Sequence, residues 1–365
     1  MKSKPISLRS LQSNLERSGL PVRRLDFSSG TVLVLPHGGR VIGLFPRQSQ
    51  SSFLWTHDAL RSVAGVRRLY AESRWPNPGG DRTWLAPTTE LFVSDLKRFW
   101  ETWREPVAID PGNYVCRETA GRLHLVNHAT VELRRLGQAV EVEMEKSFEP
   151  APDPLRYEPK PAEPYAYAGY TTRLMLKVVR EPRGCRVPIG LWQLLQLPPG
   201  GEVIVATHGP ARTQVIFGEI PAGHLRRTAR CVRYRMASPT TAKIAIRGVH
   251  LTGRMGYVRR DEGGHWELVI RNFFADPSGE YVDTPFDNLE DRGDAMQACN
   301  VAEKDIGRFC EMEHHVPAVG ADTGRQTSTD VSQVWAFRGS RRVITLIAGT
   351  LLGCAPKLID HHAGR

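Results

Sequence analysis

The stretch that decides the fold class is AVEVEMEKSF, which occupies residues 139–148. Val140, Val142 and Met144 alternate here with glutamates, and this period of two puts apolar side chains on one face of a β-strand and carboxylates on the other. A helix would spread the same residues around its circumference. The pattern therefore predicts a strand in a sheet that has one buried face.

Short runs with β-strand character continue on both sides of this stretch. One amphipathic helix precedes them, because Leu8, Leu11 and Leu15 recur at helical spacing and Gly19 follows, and we expect this helix within residues 1–20 to cover the sheet. About sixteen short strands with one clear helix predict an all-β fold, a large antiparallel sandwich. The strands are expected at residues 31–35, 40–45, 91–94, 123–133, 139–148, 172–179, 191–197, 202–207, 213–217, 231–236, 243–247, 265–273, 309–314, 334–337 and 343–353.

A proline-rich segment divides the strand runs at residues 148–166. It carries Pro150, Pro152, Pro154, Pro159, Pro161 and Pro164, which is too many for a paired strand or the interior of a helix. The segment is therefore a connector, either a domain boundary or a strap between two halves of one sandwich. We favour the strap, and with it a single domain spanning residues 1–365.

Charge and cysteine content limit the functional classes. The net charge of +10 permits attraction to a polyanion, but the arginines are scattered in short pairs and form no basic tail, so nucleic acid is not favoured as a partner. Six widely spaced cysteines, without a CxxC pair, predict reduced thiols and no metal site. The polar N-terminal twenty residues lack the apolar core of a signal peptide, and residues 343–353 are too short to cross a membrane, so a cytoplasmic protein is expected.

Four segments together resemble uncharacterised bacterial families of the galactose-mutarotase-like superfamily. They are NPGGDRTWLAP (77–87), LWQLLQLP (191–198), YVDTP through GDAMQ (281–297) and FCEMEHHVPA (309–318). The resemblance implies a β-supersandwich that binds sugar on the concave face of a curved sheet. Mutarotases of that superfamily open the sugar ring with a glutamate base and a histidine acid, which need pKa values near neutrality.

The last segment supplies the candidate catalytic residues. It resembles the late strand that presents the mutarotase glutamate, which makes Glu313 the principal acid/base. Glu311, two residues earlier, shares its face of the strand. The alternative is that both glutamates are solvated or paired with arginine. His314 and His208 are the candidate acids, and His315 also qualifies, but the histidine signature of mutarotases is missing.

The other segments supply candidate substrate-binding residues. Trp84 offers a ring to the C–H face of a pyranose, and Arg82 donates forked hydrogen bonds to its oxygens, although both also suit a core position. Asp81 lies in the same segment as Arg82 and Trp84, and Trp192 lies in the segment 191–198; both are also candidate substrate-binding residues. In the related families a glutamate follows the Ala-Pro step. Here Thr88 and Thr89 stand there instead.

A polar stretch, predicted to be a loop leading into a strand, completes the candidate site with Asp283, Asp294, Gln297 and Asn300. Its spacing fits no EF-hand, so a hydrogen-bonded loop is favoured over a metal site. The sequence also lacks a Walker loop, a dinucleotide fingerprint, HExxH and GxSxG, and we expect no cofactor.

Three functions remain open. The first is a carbohydrate-processing enzyme, epimerase-like or glycoside-cleaving, with sugar or oligosaccharide as substrate. The second is a non-catalytic carbohydrate-binding protein on the same fold, because a fold does not fix a function. The third is polyanion binding, which rests on charge alone and predicts a steep loss of affinity with salt.

Overall fold

The chain folds into two antiparallel β-sheets, of nine and ten strands. The structure is a computed structural model and describes residues 5–47 and 51–354. The predicted all-β class is confirmed. Within the described residues the strands are β1 Arg23–Phe27, β2 Gly30–Leu35, β3 Arg40–Pro46, β4 Asp81–Ala86, β5 Val115–Thr119, β6 Arg122–Leu133, β7 Gln138–Pro150, β8 Tyr165–Arg180, β9 Gly190–Leu197, β10 Gly201–Thr207, β11 Gln214–Phe217, β12 Leu225–Arg227, β13 Cys231–Met236, β14 Ala242–Arg247, β15 Leu251–Arg260, β16 Trp266–Asn272, β17 Asp294–Glu303, β18 Gly307–His315 and β19 Thr327–Gly339.

The order of strands brings distant parts of the sequence side by side. The nine-stranded sheet runs β1-β2-β3-β4-β9-β18-β17-β14-β11, and the ten-stranded sheet runs β12-β13-β10-β15-β16-β19-β8-β7-β6-β5. Between the sheets lies a core to which both contribute, including Val34, Leu195 and Met312 from one and Val205 and Tyr257 from the other. Each strand of the nine-stranded sheet therefore has an inner face toward this core and an outer face away from it.

Helices cover parts of both outer faces. In the described part of the chain they are α1 Leu8–Glu16, α2 Val63–Glu72, α3 Thr88–Leu91, α4 Phe99–Thr102 and α5 Arg341–Leu352. As predicted, α1 covers the sheet, since Leu11 and Leu15 pack with residues of β2 and β3. Among the described residues, no helix is long and apolar enough to cross a membrane.

Two predicted strands are wrong, and so is the expectation of a single clear helix. Residues 343–353 lie mostly in α5, which begins after the N-cap Ser340 and ends at Gly353, with a φ of 68°. Its buried apolar residues recur every three or four positions, a helical spacing that the short apolar run concealed. Residues 91–94 end the short helix α3 and continue as a turn, in which Leu91, Phe92 and Val93 are buried in a core that includes aromatic rings and not by strand pairing. The other predicted strands are confirmed.

The proline-rich segment joins two neighbours of one sheet. Residues 151–164 contain no strand and connect β7 to β8, which pair antiparallel in the ten-stranded sheet. The segment is thus a long hairpin connection.

Candidate functional site

A cluster of buried polar side chains lies on the outer face of the nine-stranded sheet, near its middle. Strand β18 directs Cys310 and Met312 into the inner core, so the alternation of the strand directs Glu311 and Glu313 outward. Their neighbours across the sheet are Gln196 on β9 and the outward residues of β17. Five strands that are far apart in sequence thus converge on one face.

Glu311 is held by hydrogen bonds from two neighbouring strands. Arg82 of β4 donates a hydrogen bond to its Oε1 at 3.0 Å, and the amide of Gln196 donates to the same oxygen at 3.1 Å. The Arg82 guanidinium lies over the ring of Trp84, 4.2 Å from its centroid. Because Arg82 and Glu311 are both about 95% buried, they balance each other's charge where water cannot.

Glu313 is the titratable member. Its Oε2 accepts hydrogen bonds from Lys243 of β14 at 2.9 Å and from the indole N–H of Trp192 at 2.8 Å. The carboxyl is fully buried, and this burial raises its pKa to about 7, against the opposing effect of the Lys243 ammonium. Burial lowers the pKa of Lys243, but the acidic groups around it, Glu313 first among them, together outweigh burial and raise it above its ordinary value. Lys243 is therefore a permanent cation, and Glu313 exchanges its proton near neutral pH.

A second line of hydrogen bonds extends from Lys243. Its ammonium donates to Gln297 at 3.0 Å, and Gln297 donates to Asp283 at 3.1 Å. The backbone N–H and the hydroxyl of Thr88 both donate to Asp283 at 2.9 Å. Thr88 thereby anchors the loop that holds Asp283.

His315 is the histidine that shares the face of the two glutamates. Its ring stacks on Trp192, with centroids 5.5 Å apart and planes 13° from parallel. Burial lowers its pKa to about 4, so the imidazole is neutral at physiological pH. Neither ring nitrogen has a hydrogen-bond partner among the described residues.

Aromatic rings close over the cluster. The aromatic cover, defined as residues 92–104, places Phe92 between Trp84 and Trp192, with centroids at 5.0 and 6.2 Å. Further along the cover, Trp103 packs on Phe92 at 4.6 Å. The polar groups are thus held in a dry environment, which strengthens their electrostatic interactions.

The remaining predicted residues lie apart from this cluster. Three are on the inner face: Asp81 accepts from Tyr170 and Arg271 at 2.6 Å each, His314 lies 3.2 Å from Asp330, and Asn300 donates to backbone carbonyls. His208 is exposed and follows β10 of the ten-stranded sheet.

The polar stretch was predicted to be a loop, and this is wrong for part of it, since Asp294, Gln297 and Asn300 belong to β17. Strand β17 is buried on both faces, and the side chains of Gln297 and Asn300 make their hydrogen bonds inside the protein. At Asp294, burial raises the pKa to about 7.

Sequence reasoning missed Lys243 and Gln196 as members of the site. Lys243 stands in AKIAIR, an otherwise apolar strand, and Gln196 in LWQLLQL. A polar side chain at an outward position of a buried strand is the signal that marks each of them.

Cys299, Glu311 and Glu313 form a group with the composition of a metal site, since their ligand atoms lie within 4.8 Å of one another. The fit to a cation is poor. Lys243 already binds Glu313, Arg82 binds Glu311, and a metal ion would have to share the group with both of these charges.

A groove of about 2190 Å³ lies away from the cluster, beside the proline-rich connector. None of the predicted site residues lines it. Trp55 links the two regions, because it lines the groove, packs on Phe309 at 4.6 Å and donates its backbone N–H to Gln196. We place the candidate site at the cluster, where the buried ionisable groups are.

Comparisons with known proteins give structural matches only. No family model matches the sequence, and a search of curated proteins finds no match. A galactose mutarotase-like protein from Lactobacillus casei matches with a TM-score of 0.45 at 8% identity, over 87% of this chain and 99% of its own. A galactose 1-epimerase from Lactobacillus acidophilus matches with a TM-score of 0.43 at 9% identity, over 88% and 95%. A galactose mutarotase related enzyme from Lactobacillus acidophilus matches with a TM-score of 0.43 at 8% identity, over 87% and 97%.

Proposed function

We propose that the chain binds a neutral sugar on the outer face of the nine-stranded sheet and acts at its anomeric centre, with Glu313 as the principal acid/base. The observation that carries this proposal is the pair of carboxyl groups on one strand in opposite environments. Glu311 is held by a guanidinium, whereas burial brings the pKa of Glu313 to about 7. A carboxyl whose pKa lies near neutrality, beside a second carboxyl on the same face, suits general acid/base chemistry.

Unpaired polar atoms around the pair suit a polyhydroxylated ligand. Among the described residues, Arg82 has two nitrogens without a partner, and Gln196 Oε1, Glu313 Oε1 and both nitrogens of His315 also lack one. Donors and acceptors are mixed, and a hydroxyl group both donates and accepts. The ring of Trp84 beside Arg82 offers an apolar surface to the C–H face of a pyranose.

The charges of the cluster favour a neutral sugar over a phosphorylated or uronic one. Arg82 is paired with Glu311, and Lys243 is paired with Glu313 and linked through Gln297 to Asp283. No cation of the cluster is left over for an anionic substituent, and ionisation of Glu313 adds a negative charge. The net charge of +10 therefore arises elsewhere on the chain.

Ring opening of an aldose is one reaction that this geometry supports. Protonated Glu313 gives its proton to the ring oxygen as the bond from C1 to that oxygen breaks, and the oxygen of the anomeric hydroxyl forms the carbonyl as its proton leaves. Neutral His315, on the same face and next to Trp192, is the candidate acceptor of that proton. In glycoside cleavage, protonated Glu313 would protonate the leaving oxygen, and water would attack the anomeric carbon while giving up its proton to Glu311.

Binding without catalysis is the second candidate, and one observation favours it. Glu313 is already bound by Lys243 and Trp192, an arrangement that holds a carboxylate still and does not leave it free to transfer protons. On this account Arg82, Trp84 and Gln196 bind sugar, and Glu313 only orients Lys243.

The test combines ligand binding with turnover. Wild type, Glu313→Gln and the control Glu132→Gln, an exposed carboxylate on β6, are screened by thermal shift against neutral, uronic and phosphorylated sugars. Bound sugars are then followed by NMR for exchange of anomers, and p-nitrophenyl glycosides are assayed for cleavage. We expect a neutral sugar to stabilise all three proteins and its turnover to disappear only in Glu313→Gln. Binding without turnover by the wild type selects the non-catalytic candidate, and stabilisation by no sugar contradicts both.

A further inference from the structure

An exposed aromatic corner lies at one edge of the candidate site. Trp100 of α4 is 56% exposed, which is a high value for a residue of its size and apolar character. It meets Phe217 of β11 with ring centroids 5.1 Å apart and planes at 86°. The two rings thus form a right-angled corner that is open to solvent.

This corner continues directly into the buried cluster. Phe217 is the register partner of Lys243, and the Lys243 ammonium lies 5.9 Å from the Phe217 ring centroid. The same ammonium binds Glu313 at 2.9 Å. Phe217 also packs against Cys299, whose thiol is close to both glutamates. The corner is therefore one side chain away from the groups proposed to act on the anomeric centre.

We propose that Trp100 and Phe217 form a second sugar subsite, so that the ligand is an oligosaccharide or glycoside of at least two rings. This inference rests on the proposed function. A pyranose placed in the corner lays the C–H bonds of one face on the Trp100 indole and meets the Phe217 ring at its edge. The cluster holds the reacting ring, and the corner holds its neighbour in the chain.

The subsite also explains why a large apolar ring stays exposed. Three other rings of the aromatic cover are packed: Phe99 lies on Phe286 at 4.7 Å, and Phe92 and Trp103 face each other at 4.6 Å. Trp100 lies in the same segment but turns its ring toward Phe217 and solvent. Burying that surface under a sugar ring should lower the Kd of the ligand about tenfold.

The experiment measures Kd by calorimetry for matched probes: glucose with maltose and cellobiose, and galactose with lactose and galactobiose. The proteins are wild type, Trp100→Ala, Trp100→Phe and the control Phe274→Ala, which removes a different exposed aromatic ring, 72% exposed. We expect a disaccharide to bind wild type about tenfold more tightly than its monosaccharide. Trp100→Ala is expected to abolish that advantage while leaving the monosaccharide Kd unchanged, and Trp100→Phe is expected to retain most of it.

Three outcomes overturn the proposal in distinguishable ways. Equal Kd values for monosaccharide and disaccharide, or a disaccharide advantage that survives in Trp100→Ala, refute the second subsite and leave the proposed function standing. Binding of none of the probes refutes both together. A change in sedimentation between wild type and Trp100→Ala assigns the corner to contact between protein chains and also refutes the subsite.

Discussion

Replacing Glu313 with glutamine is expected to change how the free energy of unfolding depends on pH. In the folded chain, burial raises the pKa of this carboxyl from its ordinary value of 4.5 to about 7. The folded state therefore keeps a proton that the unfolded state releases between these two values. The contribution of Glu313 to stability is complete below pH 4.5 and is lost as the pH rises toward 7, because ionisation is more favourable in the unfolded chain.

The magnitude follows from the distance between the two pKa values. At about 1.4 kcal/mol for each pH unit, ionisation of Glu313 removes about 3 kcal/mol of unfolding free energy across the window. Glutamine does not ionise, so the stability of Glu313→Gln relative to wild type should improve by about that amount from pH 4.5 to pH 8. Loss of the partner of Lys243 lowers the stability of the variant, so the test is the change with pH and not the absolute difference.

Urea denaturation followed by tryptophan fluorescence at pH 5, 6, 7 and 8 measures this change. The control is Glu132→Gln, which removes an exposed carboxylate and should follow the wild type at each pH. If the curves for Glu313→Gln and wild type stay parallel over this range, Glu313 does not titrate near neutrality, and its role as acid/base is refuted.

Three further predictions test the surroundings of Glu313. Arg82→Met leaves the buried carboxylate of Glu311 unpaired and should lower the free energy of unfolding by about 3–5 kcal/mol in urea denaturation, whereas an equal midpoint would show that the pair carries no buried charge. His315→Phe removes a group whose pKa is lowered by burial from 6.5 to about 4. As the pH falls through that window, the unfolding free energy of the wild type should fall by about 3 kcal/mol relative to that of the variant, when both are compared by thermal or urea unfolding. His314→Leu breaks the contact with Asp330 on the inner face and should reduce stability while leaving sugar Kd unchanged in calorimetry, and a lost Kd would return His314 to the site.

The fold was predictable because its strands alternate or form apolar runs between turns. Residues 139–148 show this most clearly, since Val140, Val142 and Met144 are buried while Glu145 is exposed. The error at α5 arose because a short apolar run has no unique period, and only contact with the sheet makes its helical spacing visible.

The site was predictable only in part, because its members come from five strands between residues 82 and 313. Resemblance identified Glu313 and Glu311, and strand alternation placed both on one face. It did not reveal Lys243, since pairing of β14 with β17 and then β18 is a long-range property that no local pattern encodes. The sequence also favoured His314 over His315. The two residues are adjacent and point to opposite faces of the strand, so a shift of one position decides whether the ring lies in the site or in the core.

Access to the site depends on the aromatic cover, because Glu311, Glu313 and Arg82 are each at least 95% buried. The cover is attached differently from the sheet beneath it. Within residues 92–104 its link to neighbouring structure is mainly ring packing, supplemented by hydrogen bonds from Arg134 to the carbonyls of Phe92 and Thr102. A segment held in this way opens at a smaller free energy than a strand paired on both sides. A ligand that reaches Glu313 therefore displaces Phe92 of the cover and not the sheet, while Trp100 stays beside Phe217 to hold the second sugar ring.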